Sequence, residues 1–170
     1  MRLRRAARVL VVDAAGRVLL LREFDPRHPD RQWWITVGGG CEAGESSAQG
    51  AARELAEETG LLVEPAQLGG AVWNDVVEFE FDGVWCRQEQ EYFAVRVDSW
   101  EVSHAGWDEL ERRSLAGHRW WSLAELESTA DRFYPAELPE LLRGVLAPAP
   151  GGSGADGSAG GHAVAGRRED

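Results

Sequence analysis

Residues 39–61 constrain this chain more than any other segment, because they join a glycine-rich turn directly to an acidic helix. Its carboxylates Glu54, Glu57 and Glu58 are spaced i, i+3 and i+4, so they project from neighbouring turns of one helical face. Glu57 and Glu58 fall in the last turn before Gly60, where the helix macrodipole disfavours negative charge. Folding stability alone does not explain this arrangement, whereas a bound cation does.

Both ends of this helix are marked in the sequence. Ser46 or Ser47 can cap its start, and Ser46 with Gln49 fits a capping box. Gly60 suits the left-handed position that ends a helix. A stripe of small apolar residues is predicted to pack closely on a sheet; it consists of Ala48, Ala51, Ala52, Leu55 and Ala56.

The segment matches a known signature at every fixed position. The signature is G-x5-E-x7-R-E-U-x-E-E-x-G-U, where U is a bulky aliphatic residue, and it is that of the Nudix hydrolases. The matching residues are Gly39, Glu45, Arg53, Glu54, Leu55, Glu57, Glu58, Gly60 and Leu61. The chain therefore resembles this family, including its MutT-like members, and a looser resemblance covers about residues 4–142.

The rest of the chain alternates between predicted strands and short helices. Predicted strands cover residues 9–12, 18–21, 33–37, 68–81, 85–97 and 118–121. Helices are predicted at 123–129, with Ser122 as cap, and at Leu138–Leu146, while 24–32 and 99–117 are predicted as polar loops, the second with room for a short helix. This pattern suggests a mixed sheet with helices on both faces, as in the Nudix α/β/α sandwich. We expect one domain over residues 1–146 and a disordered Gly/Ala/Pro-rich tail over 147–170.

The resemblance implies roles for the signature residues. Glu57 and Glu58 are expected to be metal ligands, and Glu54 either a ligand or the general base. The backbone carbonyl of Gly38 is expected to complete the inner shell. Arg53 and Glu45 are expected to orient their neighbours in the catalytic site.

Carboxylates are hard oxygen ligands, so the metal implied is Mg²⁺, with Mn²⁺ as a possible substitute. Zinc does not fit, because Cys41 and Cys86 are far apart and the four histidines form no ligand pattern. Many family members recruit one more carboxylate before the final strand. Glu111 is the first candidate here, with Glu109 beside it, and Glu89 and Glu91 on a predicted strand are rivals.

Candidate substrate contacts lie at a predicted strand end and around the glycine turn. Arg22 stands at a predicted strand end where many Nudix enzymes place an arginine that contacts phosphate, and its fork suits phosphate oxygens. Trp33 and Trp34 are candidates for stacking on a base. Gly39 and Gly40 of the turn itself are further candidates.

The composition excludes some classes of binding partner. The net charge of −11 argues against a general nucleic-acid or anionic-membrane surface, so a phosphate must be received by local arginines and metal. All 18 basic residues are arginine, which indicates the codon usage of a GC-rich bacterial genome. Asp13 and Arg17 interrupt the apolar stretch near the N-terminus, and the two cysteines give no disulfide framework, so we expect a cytoplasmic protein.

The resemblance implies a metal-dependent hydrolase that cleaves a diphosphate linkage in a nucleoside diphosphate derivative. A nucleoside triphosphate or a nucleotide sugar is the preferred substrate class. The alternative is a Nudix-fold module that binds or senses a nucleotide without cleaving it. Retention of Glu54, Glu57 and Glu58 favours catalysis, and family habit predicts a homodimer.

Overall fold

A long strand, β1 (Arg2–Val12), runs through the sheet and pairs in parallel with β5 (Val84–Arg96) from Arg2 opposite Cys86 to Val12 opposite Arg96. The computed structural model describes residues 1–81 and 83–148. The other strands in this part of the chain are β2 (Val18–Asp25), β3 (His28–Gly40), β4 (Trp73–Phe81), β6 (Leu115–Trp121) and β7 (Phe133–Tyr134). The helices are α1 (Ser47–Thr59), α2 (Glu109–Ser114), α3 (Leu123–Ser128) and α4 (Leu138–Leu146), and Pro65–Leu68 forms a 3₁₀ turn.

Strand β3 changes partner along its length, and this change positions the glycine turn. Its first part pairs antiparallel with β2, ending with Thr36 opposite Leu20. Its last part pairs antiparallel with β1, from Val37 opposite Val9 to Gly40 opposite Ala6. Strand β2 also pairs with β6, β4 pairs with β5, and β7 pairs in parallel with β3. The sheet is therefore mixed and curled, and the glycines lie beside the middle of β1, at residues 6–8.

Two apolar cores cover the two faces of the sheet, because side chains alternate along each strand. Helix α1 packs on the face that carries Val9, Val11, Leu19 and Leu21. Helices α3 and α4 pack on the other face, where Leu126, Leu138 and Leu142 meet a second set of strand residues, Leu10, Val12 and Leu20. The predicted α/β/α sandwich with a mixed sheet is confirmed.

The helix boundaries agree closely with the sequence pattern. Ser46 and Gln49 form the predicted capping box, and Gly60 is left-handed, with φ 75°. Ser122 caps α3, and α4 has the predicted bounds. Of the predicted apolar stripe, Ala51, Ala52 and Leu55 are buried against the sheet.

The strand boundaries agree less well. The predicted loop 24–32 is wrong, because β2 continues to Asp25 and β3 already begins at His28. Strand β4 begins at Trp73 rather than Leu68, and β7 was not predicted. The β2–β3 hairpin projects into solvent, so its residues lack the alternation that a buried face imposes.

Two parts of the sequence interpretation fall outside the described structure. They are Asp82 of the predicted β4–β5 turn and residues 149–170 of the predicted tail. Among the described residues, no helix has the length and apolar character that a bilayer crossing requires.

Candidate active site

Three carboxylates meet where α1 approaches the glycine end of β3. Oxygens of Glu54, Glu58 and Glu111 all lie within 4.8 Å of one another. Glu54 and Glu58 are buried, at 8% and 6% exposed, and Glu111 is half-buried. Two turns of α1 and the first turn of α2 thus supply one acidic centre, although Glu58 and Glu111 are far apart in sequence.

The glycine turn makes room for this centre. A Cβ atom at Gly39 would lie 2.8 Å from the carboxylate of Glu54, so that carboxylate lies directly over a residue without a side chain. A Cβ atom at Gly38 would lie 2.2 Å from the carbonyl oxygen of Ala7, and Gly38 has φ 126°. Glycine at these positions lets β1, β3 and the helix carboxylates come together.

Arg53 holds the turn and the helix in one network. Its Nε donates to Glu45 at 2.8 Å, and its Nη2 donates to Glu45 at 3.0 Å and to the Gly40 carbonyl at 2.9 Å. Its Nη1 donates to Glu54 at 2.9 Å and to Glu57 at 3.0 Å. The hydrogen bonds to Glu45 first, and then that to Glu54, raise the pKa of the Arg53 guanidinium. Since all three nitrogens are engaged within the protein, the geometry suits an orienting role.

Two predicted metal ligands lie outside the three-carboxylate group. The Glu57 side chain is 45% exposed and pairs with Arg53. The Gly38 carbonyl accepts a hydrogen bond of 2.5 Å from Nη1 of Arg8, while the Gly38 N–H donates to Glu58 at 2.6 Å. Metal ligation by Glu57 and by the Gly38 carbonyl therefore stays a prediction.

The rival carboxylates occupy other positions. Glu91 accepts a hydrogen bond from the Ser47 hydroxyl, and Arg5 donates to the same hydroxyl at 2.8 Å. Glu89 is exposed on β5, and Glu109 is exposed on the first turn of α2. Among the four candidates outside the signature, only Glu111 stands with Glu54 and Glu58 in the part of the chain that the structure describes.

The three gathered carboxyl groups resist ionisation. Burial raises the pKa of Glu58 well above its ordinary value, and the nearby Glu54 raises that pKa further. Burial also raises the pKa of Glu54 and of Glu111. A hard divalent cation among them would favour their ionised forms and satisfy oxygens that otherwise repel one another. The donor set fits Mg²⁺ or Mn²⁺.

The three predicted substrate side chains lie together in a separate cavity. Arg22, Trp33 and Trp34 line a space of about 370 Å³, along with Arg31 and Arg132. The Arg22 guanidinium lies 5.6 Å from the ring centroid of Trp34. Trp34 is five residues before Gly39, so the cavity lies roughly 16 Å along β3 from the carboxylates. The predicted contacts thus share one pocket, at a distance from the acidic centre.

Sequence reasoning missed two arginines of β1. Arg8 is buried and donates to the carbonyls of Thr36 and Gly38 and to Gln90, and Arg4 lies over Gly40. A signal was present, because both residues share the strand face of the buried Leu10. An arginine at a core-facing strand position requires a polar partner.

The comparisons with known proteins agree with this geometry. The model of the NUDIX domain matches residues 2–142. An uncharacterized Nudix hydrolase, YvcI of Bacillus subtilis, is 40% identical over 108 residues, which cover 64% of this chain and 61% of that protein. An RNA pyrophosphohydrolase of Dinoroseobacter shibae is 38% identical over 65 residues, which cover 38% of this chain and 39% of that protein.

Structural comparison gives the same fold. The MutT Nudix hydrolase of Burkholderia pseudomallei superposes with a TM-score of 0.57 at 19% identity, covering 84% of this chain and 98% of that one. The chain spans between 16% and 61% of the length of four curated relatives that it matches. On the domain match, the signature and the fold, the chain belongs to the Nudix family.

Proposed function

We propose that this chain is a metal-dependent hydrolase that cleaves a diphosphate linkage in a nucleoside diphosphate derivative. A nucleoside triphosphate or a nucleotide sugar is the substrate class we favour. The observation that carries the proposal is the approach of Glu54, Glu58 and Glu111 to within 4.8 Å. Three acidic groups packed this closely suit a cation that bridges protein and phosphate oxygens.

Glu54, Glu58 and Glu111 would hold the cation, with Glu57 and the Gly38 carbonyl as further predicted ligands. A bound divalent cation would neutralise diphosphate charge, polarise the phosphorus–oxygen bond and lower the pKa of a bound water. Glu54 is either a ligand or the general base that accepts a proton from the attacking water. Arg53 fixes the Glu54 carboxylate at 2.9 Å and so limits its orientations.

The cavity around Trp34 is proposed to receive the part of the substrate farthest from the reacting diphosphate. Trp33 and Trp34 offer aromatic surface, and Arg22, Arg31 and Arg132 offer positive charge. A base or sugar and an additional phosphate suit such a lining. Trp33 is held in place because its indole N–H donates to Glu23 at 2.7 Å.

The remaining expectations are proposals of the same kind. We propose a Nudix domain over residues 1–146 that acts in the cytoplasm on small-molecule diphosphates and not on nucleic acid. Its relative from Dinoroseobacter shibae is an RNA pyrophosphohydrolase, so a 5′-triphosphorylated oligonucleotide belongs in any substrate panel. A homodimer is expected by resemblance, and light scattering of the purified protein tests it.

The proposal is tested by phosphate or pyrophosphate release from a panel of nucleotides, nucleotide sugars and other diphosphates with Mg²⁺. Wild type is compared with Glu58→Gln and Glu57→Gln, and with Glu78→Gln as a control. Glu78 is an exposed carboxylate that pairs with Arg87 at 2.6 Å, away from the acidic centre. We expect Glu58→Gln to lose most turnover while Glu78→Gln keeps it. Equal turnover in all four proteins would refute the mechanism, and no turnover on any substrate would favour the non-catalytic module.

A further inference from the structure

Arg4 lies against the glycine turn on the face opposite Glu54. A Cβ atom at Gly40 would lie 3.2 Å from Nη2 of Arg4, whereas one at Gly39 would lie 2.8 Å from the Glu54 carboxylate. Successive residues of a strand point to opposite faces, so Arg4 and Glu54 flank the same short stretch of β3. The glycine turn thus separates a guanidinium from the acidic centre by the thickness of one strand.

The Arg4 guanidinium has no hydrogen bond or ion pair with the described residues. Its Nε atom is buried without a hydrogen bond. The neighbouring arginines are engaged: Arg53 with Glu45, Glu54 and Glu57, and Arg8 with Gln90 and two backbone carbonyls. Arg4 is therefore the cation at this turn with donors still to be satisfied.

The surroundings of Arg4 are unfavourable for a cation in the free protein. Burial lowers the pKa of its guanidinium, and the nearby charge of Arg8 lowers that pKa further. A half-buried cation that is repelled by a second arginine is not explained by fold stability. An anion beside Arg4 would relieve both the repulsion and the missing hydrogen bond.

We propose that Arg4 is a substrate-binding residue, which receives a phosphate group of the diphosphate beside Gly40. The diphosphate would then reach around the end of β3 at Gly40, from the cation held by Glu54, Glu58 and Glu111 on one face to the guanidinium of Arg4 on the other. Because Gly40 has no side chain, the Arg4 guanidinium lies directly against the strand, where a phosphate at the end of β3 can approach it. This inference rests on the proposed function, since it assumes that the glycine turn receives a diphosphate.

The test is binding of imidodiphosphate, a diphosphate analogue that is not hydrolysed, measured by calorimetry in the presence of Mg²⁺. We expect Arg4→Gln to weaken binding by about tenfold or more, because a charge-assisted hydrogen bond is lost. The affinity of Arg4→Lys should lie between those of wild type and Arg4→Gln, because lysine keeps the charge but loses the forked arrangement of donors. Arg2→Gln is the matched control, because Arg2 lies on the same face of β1 and is exposed.

Thermal unfolding separates binding from folding. Without ligand, Arg4→Gln should melt at the same temperature as wild type or higher, because a cation without a partner has been removed. With a substrate that is cleaved, Arg4→Gln should raise KM more than it lowers kcat.

Three results would overturn the inference: no binding by wild type, equal binding by wild type and Arg4→Gln, or equal weakening in Arg2→Gln and Arg4→Gln. The last result would mean that only the diffuse charge of the strand matters. Arg4-dependent binding without turnover of any substrate would refute the proposed hydrolysis and leave this inference standing.

Discussion

Single residues at the glycine turn decide where the charged groups of the site lie. Gly38 admits the backbone of β1, Gly39 lies beneath the Glu54 carboxylate, and Gly40 lies beneath the Arg4 guanidinium. Each position lacks a side chain for a different steric reason. The three consecutive glycines therefore define the geometry of the site as much as the carboxylates do.

Gly39→Ala tests whether the Glu54 carboxylate needs a residue without a side chain beneath it. Its methyl group would meet the Glu54 carboxylate at 2.8 Å, so that carboxylate must move away from its position. We expect kcat to fall roughly tenfold or more, since small displacements of catalytic groups are costly. Gly70→Ala is the control, because nothing lies within 4 Å of its added Cβ atom. Equal activity of the two variants, measured by phosphate release, would contradict the expectation.

Arg53→Lys tests the orienting network. Lysine keeps the charge but cannot reach Glu45, Glu54, Glu57 and the Gly40 carbonyl at once. We expect kcat/KM to fall about 100-fold and stability to fall by about 1–3 kcal/mol. Steady-state kinetics and urea unfolding measure the two effects.

The matched control is Arg87→Lys, where an exposed pair with Glu78 at 2.6 Å is affected instead. Exposed ion pairs contribute little, so this variant should resemble wild type in both assays. If Arg53→Lys also behaved like wild type, the fork geometry would be irrelevant to the site.

Among the structural elements, the loop between β5 and α2 has a role that the sequence did not reveal. The indole N–H of Trp107 donates to the Glu58 carbonyl at 3.1 Å, and that of Trp100 donates to the Thr59 carbonyl at 2.9 Å. The Ser103 N–H also donates to the Thr59 carbonyl, at 2.9 Å. These carbonyls belong to the last turn of α1 and have no N–H partner within the helix, so the loop supplies their hydrogen-bond donors. The loop thereby fixes the last turn of α1, which carries Glu57 and Glu58.

Trp107→Phe tests this capping. Phenylalanine keeps an aromatic ring but cannot donate a hydrogen bond to the Glu58 carbonyl. Its smaller ring also makes fewer packing contacts. We expect a loss of about 1–2 kcal/mol in the free energy of unfolding. Trp85→Phe, at a side chain that is 57% exposed, should change it far less. Similar losses in both variants would show that the indole hydrogen bond is unimportant.

A histidine pair joins the same loop to β6. His104 stacks on Trp107 with ring centroids 4.0 Å apart, and its Nε2 lies 2.9 Å from Nδ1 of His118. Burial lowers the pKa of both imidazoles, and His118 lowers that of His104 further. As pH falls, these imidazoles therefore bind protons in the unfolded chain at a higher pH than in the folded protein. Their titration lowers the free energy of unfolding below about pH 6.5.

His118→Gln tests the sign of this effect. Between pH 7.5 and 5.5 its melting temperature should fall less than that of wild type, because one titrating imidazole has been removed. The raised pKa values of Glu54 and Glu58 act in the opposite direction, but they are common to both proteins and cancel in the difference. His28→Gln, at an exposed position, is the control. A steeper fall in His118→Gln than in wild type would contradict the sign.

For the whole molecule, the sequence predicted what depends on local pattern. The signature helix, its capping box and the left-handed Gly60 depend on neighbouring residues, and all three are confirmed. The boundaries of α4 also follow from a local apolar pattern. The sandwich could be predicted because the alternation of strands and helices suggests a mixed sheet with helices on both faces, as the family resemblance also implies.

Contacts across the sheet were harder to predict. Arg8 meets Gln90 and Gly38 because β1 pairs with both β5 and β3, and no local pattern reveals that register. Glu111 could be ranked among four carboxylates but not placed, because its position depends on how the loop packs on α1. Arg22 stands at a predicted strand end, and Trp33 and Trp34 stand just before the glycine turn, but neither position reveals that the three share one cavity away from the acidic centre.

The most direct measurement is Mn²⁺ binding by electron paramagnetic resonance to wild type, Glu111→Gln and Glu109→Gln. The two glutamates lie in the same turn of α2, but only the Glu111 carboxylate lies within 4.8 Å of those of Glu54 and Glu58. Glu111→Gln should bind Mn²⁺ about tenfold more weakly than wild type, and Glu109→Gln should bind it equally well. Equal Mn²⁺ affinity in all three proteins would contradict the assignment of the three-carboxylate group as the metal site.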